Sequence, residues 1–203
     1  MKITFAAATV ALTSIAGAQI YTNGTPDLEN GNEMTAWLQA ENFNLGAPNA
    51  IGMIKFWTIE VPGVVFEGNV DWWIFMDNAG TPGAIHMSGT SNSVNRAATG
   101  NIALGFYEEF VYEVTIAPAA VLGSTNYWLG LHLNSDYLAE GMYWETTNNG
   151  NAPFGMESSG GTMNNWFSNG EEHVFELYAV PEPSTFLVLG GLAGLLLARR
   201  RRR

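Results

Sequence analysis

Three histidines, His86, His132 and His173, and a Ser135-Asp136 pair just after His132 are the residues that nucleophilic catalysis would draw on. A serine hydrolase needs its nucleophile on a sharp, exposed turn beside a base. No G-x-S-x-G context surrounds Ser135, and His132 sits in an alternating apolar run, so structural or surface histidines are expected. Paired carboxylates offer a second chemistry: Glu108-Glu109, Glu140 with Glu145, and Glu171-Glu172. Glycoside hydrolysis needs two carboxyl groups about 5 to 9 Å apart in a cleft. Neighbours along a strand point to opposite faces, which removes Glu108-Glu109. Glu140 and Glu145 can share a rim, but no glycosidase strand signature surrounds them. Asp77-Asn78-Ala79-Gly80 has the oxygen-rich character of a Ca²⁺ turn without the repeated acidic spacing or the downstream glutamate, and reads as a plain hairpin turn. No catalytic residue and no metal ligand is assigned. The expectation is a protein without cofactor, a structural calcium having no support, and without enzymatic activity.

Aromatic residues make the most suggestive pattern. All seven tryptophans lie between Trp37 and Trp166. An indole can stack on a sugar ring while neighbouring Asn, Asp and Glu bond hydroxyl groups, which suits a neutral glycan. Tryptophan also fills small cores, so most of these are expected inside. Trp73, Trp144 and Trp166, near Asn/Gly loops or on a less obvious face, are the candidates for exposure and glycan contact. A carbohydrate-binding module is thus the alternative reading, with a glycan-active hydrolase behind it.

The elements that would carry these side chains are short strands. Apolar runs at 37–43, 51–60, 70–76, 84–88, 106–116, 127–133, 141–146 and 174–179 are separated by Asn/Gly/Pro turns, and no long helical period appears. The 21–32 stretch is polar with Gly and Pro and reads as an arm. Ala117-Pro118 reads as a strand breaker. From Tyr107 to Ile116, the odd side (Tyr107, Glu109, Val111, Glu113, Thr115) reads as a wet outer face and the even side as core. The run at 70–76 is apolar on both sides and should be a central strand, or one with an exposed aromatic on its outer face. The fold class expected is all-β: a single antiparallel β-sandwich, jelly-roll-like, over residues 19–180.

The ends have a different character. Met1-Lys2, an apolar stretch at 3–15 and Ala16-Gly17-Ala18 before Gln19 fit a secretory signal peptide over residues 1–18, cut between Ala18 and Gln19. The Sec translocon and signal peptidase are its expected partners. Eighteen acidic residues against Lys55 and Arg96 leave residues 19–180 with sixteen net negative charges, which repels nucleic acid. With no cysteine, the exported body has neither disulfides nor a cysteine nucleophile.

Residues 186–198 are thirteen uncharged positions. As a helix they cover about 20 Å against about 30 Å of hydrocarbon, so this is a marginal transmembrane helix. Arg199, Arg200, Arg201, Arg202 and Arg203 follow as a stop signal that stays cytoplasmic. Pro181 and Pro183 keep the approach extended and accessible.

Pro181-Glu182-Pro183, then Ser184-Thr185, a short apolar helix and a basic terminus resemble the PEP-CTERM sorting signal of Gram-negative bacteria, here over residues 181–203. The resemblance implies an exosortase that recognises Pro181, Glu182, Pro183, Ser184 and Thr185. It also implies a precursor held transiently in the inner membrane with its C-terminus cytoplasmic, and a mature form at the cell surface or outside the cell. Association with exopolysaccharide and biofilm belongs to the same setting. The runs IFMDNAGTPGAIHMSG, TNYWLGLH, MYWETT and NNWF…FELY further resemble a β-sandwich domain of exported PEP-CTERM proteins, one with no established activity.

Overall fold

Alternating apolar positions and Asn/Gly/Pro turns resolve into strands throughout. The computed structural model describes residues 17–150 and 153–181, and these form thirteen strands and no helix. In chain order they are β1 (Gln19–Thr22), β2 (Gly31–Glu33), β3 (Trp37–Asn44), β4 (Asn49–Glu60), β5 (Val70–Asp77), β6 (Pro82–Ser91) and β7 (Val94–Ala103). Then follow β8 (Tyr107–Val121), β9 (Asn126–Leu133), β10 (Met142–Glu145), β11 (Met156–Ser159), β12 (Phe167–Ser168) and β13 (Phe175–Ala179). The expected membrane helix at 186–198 lies outside the described residues. Among the described residues no helix is long and apolar enough to cross a membrane.

The strands make two antiparallel sheets. In the seven-stranded sheet, β4 is the spine, with β8 along one edge and β7 beyond it. Its other edge is shared: β13 pairs with Ile51 to Phe56 and carries β1, while β10 pairs with Thr58 to Glu60 and carries β2. The second sheet runs β12-β11-β3-β9-β5-β6, so the doubly apolar β5 lies inside its sheet, as its sequence implied.

One apolar cluster draws on both sheets: Ile54, Phe56, Tyr112, Val114, Trp144 and Phe175 from the first, with Phe43, Trp72, Ile74, Leu129 and Leu131 from the second. Phe56 stacks on Tyr112 at 4.9 Å between centroids, and Phe43 meets Phe175 edge-on at 6.4 Å across the sheets. This burial is the main stabilising term, at roughly 25 cal/mol per Å² of apolar surface removed from water.

Several expectations are corrected. The 21–32 arm holds the second half of β1 and the first two residues of β2. Ala117-Pro118 does not end β8, because residues 116–118 bulge opposite Gly52, where a proline without N–H costs the ladder nothing. The odd face of β8 is not uniformly wet: Glu109 is 2 % exposed, its carboxylate covered by the Thr99 hydroxyl and the Asn101 amide.

Candidate functional site: the end that carries the sorting residues

The two processing ends meet at one edge. Gln19 pairs with Tyr178 in the β1–β13 ladder, and the Ala179 N–H donates to the Ala18 carbonyl at 2.9 Å. One residue on, the Val180 N–H donates to the Ala50 carbonyl at 2.9 Å, and Pro181 follows at once. The predicted signal-peptidase bond between Ala18 and Gln19 therefore lies beside the strand that leads into the sorting residues. Ala16, Glu182, Pro183, Ser184, Thr185 and Arg199, Arg200, Arg201, Arg202 and Arg203 lie outside the described residues.

Of the three candidate glycan contacts, the structure brings two together. Trp73 and Trp166 are both half-buried against a small cluster of Leu38, Ala40, Phe75, Trp128 and Met156 on the outer side of the second sheet. Trp166 meets Phe75 edge-on at 5.4 Å and donates its indole N–H to the Met163 carbonyl. Trp144 is a correction. It is fully buried, inward-facing on β10, with its indole N–H on the Val174 carbonyl at 2.9 Å, so it offers no surface to a sugar.

The hydrolase constellations are not assembled. The Ser135 hydroxyl donates to Glu67 at 2.6 Å, while His132 Nε2 bonds the Thr35 carbonyl at 2.7 Å. Glu140 accepts from the Asn134 amide, and Glu145 accepts the Leu28 N–H at 2.9 Å. Asp77 accepts from the Trp128 indole at 2.8 Å and from Gly80 N–H at 3.2 Å, as a hairpin-turn aspartate does. Among the described residues no group of three or more His, Asp or Glu side chains stands close enough to hold a metal ion.

What the sequence did not disclose is a buried polar cluster where the chain crosses between sheets. Glu41 on β3 and His173 just before β13 are both fully buried. Glu41 Oε2 lies 3.0 Å from His173 Nδ1 and accepts the His173 backbone N–H at 2.9 Å. His173 Nε2 faces Asn32 Oδ1 at 3.0 Å, and the ring stacks on Trp144 at 4.8 Å. A Cβ at Gly155 would sit 2.6 Å from the imidazole, so only glycine passes over this pair. Burial pushes the Glu41 carboxyl up and the His173 imidazole down to about 4. Both directions favour the uncharged forms of the pair, and the Asn169 amide nitrogen stands 3.3 Å from His173 Nε2 beside Asn32. Burial likewise raises Glu145 to about 8, with Glu109 facing it, and Glu172 to about 7, with Glu41 nearby. Glu41 and His173 stand 132 positions apart in the sequence, and no spacing rule links them.

Residues 179–203 match the PEP-CTERM protein-sorting motif. No curated protein matches the chain. The match starts at Ala179, the last residue of β13, two positions before the proline where the motif was expected. With it come export, a membrane-anchored precursor and an exosortase as processing partner. The chain therefore ends in a PEP-CTERM sorting motif that begins inside the last strand of its β-sheet body.

Proposed function

We propose that the protein is a non-enzymatic component of the extracellular matrix, released or displayed at the cell surface after exosortase cuts at Pro181-Glu182-Pro183. The observation that carries this reading is the sorting match at residues 179–203, joined without a spacer to a β body. The body is read as one jelly-roll-like sandwich. Support for a passive role comes from side chains already engaged: Ser135 with Glu67, His132 Nε2 with the Thr35 carbonyl, Glu41 with His173. Trp73 and Trp166, half-exposed on one side of the second sheet, support contact with a neutral polysaccharide. The sixteen net negative charges favour such a ligand over an anionic one.

The test is replacement of Pro181, Glu182 and Pro183 together by alanine in the native host. The precursor is expected to accumulate in the membrane fraction at its unprocessed mass. Mature protein of normal size outside the cell would refute the sorting reading.

A further inference from the structure

We infer that the end of the body from which both termini leave is a membrane-docking surface, seated on the bilayer interface while the precursor is anchored. The inference rests on the membrane-anchored precursor of the preceding reading, and the experiment below separates the two.

Tether length is the first argument. The last described sheet bond is Val180 N–H to Ala50 O, and the apolar run begins at Phe186. Residues 181–185, fully extended, span at most roughly 18 Å. β4 alone, twelve residues, is roughly 40 Å long. The tethered end is therefore held within a fraction of the body's own length from hydrocarbon.

Charge is the second. The segments that build this end are 45–52, 78–87, 117–127 and 178–181, and together they contain not one Asp, Glu, Lys or Arg. The one acid at its border, Asp77, which pairs with Pro82, is tied to the Trp128 indole and Gly80. At the opposite end Glu33, Glu60, Glu67, Asp71, Glu108, Asp136 and Glu140 gather around the 61–69 and 134–141 loops. An anionic lipid surface repels that end and leaves the uncharged one facing it.

Shape is the third. Leu122 is 63 % exposed at the β8–β9 turn, and a groove of about 590 Å³ lies beside it, lined by Pro48, Ala50, His86, Ala120 and Val121. Ala50, which receives Val180, is part of that wall. Uncharged turns with an exposed leucine suit the headgroup boundary.

The chain has no cysteine, so single cysteines report cleanly. Ala47→Cys and Leu122→Cys mark the tethered end, and Val65→Cys and Leu138→Cys mark the acidic end; all four positions are exposed. Each unprocessed variant, carrying a polarity-sensitive fluorophore, is reconstituted into mixed phosphatidylcholine and phosphatidylglycerol vesicles containing nitroxide lipid. The expected result is a blue shift and quenching at 47 and 122, both absent at 65 and 138. Vesicle-bound protein with equal emission at both ends overturns the docking surface alone, and would leave a protein such as the processing enzyme as what covers this end. Protein that does not float with the vesicles overturns the anchored precursor and the docking surface together.

Discussion

Buried carboxyl groups divide into two kinds in this protein. Glu60, fully buried, is fully served: the Arg96 guanidinium, the Tyr112 hydroxyl at 2.7 Å and the Thr58 hydroxyl at 2.7 Å all donate to it. Glu145 and Glu172 each keep one buried carboxyl oxygen with no donor, and burial raises them to about 8 and about 7. An unfolded glutamate titrates near 4.3, so from there up to its raised value each group holds a proton that the unfolded chain has lost. Stability from these groups is therefore present at low pH and lost as pH rises through about 7 to 8. His173, lowered to about 4, acts with the opposite sign, because its stability is lost as pH falls. That contribution is confined below the unfolded histidine value near 6.5. Above it the carboxyls act alone. The thermal midpoint is expected to fall between about pH 6.5 and 8.5, and Glu145→Gln, whose amide can donate to the facing Glu109, should flatten the slope. Melting curves across that range decide it, and a rising midpoint, or an unchanged slope in the variant, contradicts the assignment.

Strands that are apolar on at least one face were legible: β3, β4, β5, β8, β9 and β13 all occur where alternation placed them, give or take their ends. The missed strands explain themselves physically. β7, VNRAATGNIA, is an edge strand exposed along most of its length, so it carries no apolar alternation. β11 and β12 are four and two residues long, too short to show a period. β1 and β2 lie in a polar stretch and are held by ladders to β13 and β10, long-range partners that local composition cannot announce. The sorting residues were legible because they form a contiguous linear signal. Their closeness to the sheet was not, and it has a consequence for β13. An extended peptide in a protease groove uses several residues on either side of the scissile bond, in the manner of strand addition. Here the residue before Pro181 is still bonded to Ala50, so the end of β13 must fray before it can be held. A flexible Gly/Ser insert between Val180 and Pro181 removes that requirement. Pulse-chase labelling should show faster conversion of precursor to mature form, with the thermal midpoint of the body unchanged; slower conversion would mean that the enzyme reads the folded end itself.

Charge at the scale of the whole body is lopsided in amount as well as in place. Lys55 and Arg96 are the only lysine and arginine within residues 19–180, and both are engaged, Lys55 Nζ with Glu176 at 3.4 Å and Arg96 with Glu60. The Lys55 pair is partly exposed and of the kind that contributes about 0 to 1 kcal/mol. Added salt thus has little attraction to screen and a large negative excess, which outlasts the protons held by Glu41, Glu145 and Glu172, to relieve. Screening over about 8 Å at physiological ionic strength reaches most neighbouring carboxylates on such a surface. The thermal midpoint should rise on going from low salt to moderate NaCl at neutral pH, by about 2 to 4 °C for each kcal/mol of repulsion removed. A fall would mean that ion pairs hold the body together. Calcium chloride at matched ionic strength separates screening from specific binding. With no cluster of three ligating side chains among the described residues, it should move the midpoint no further than sodium chloride does, and a larger shift would place a cation site on the acidic end.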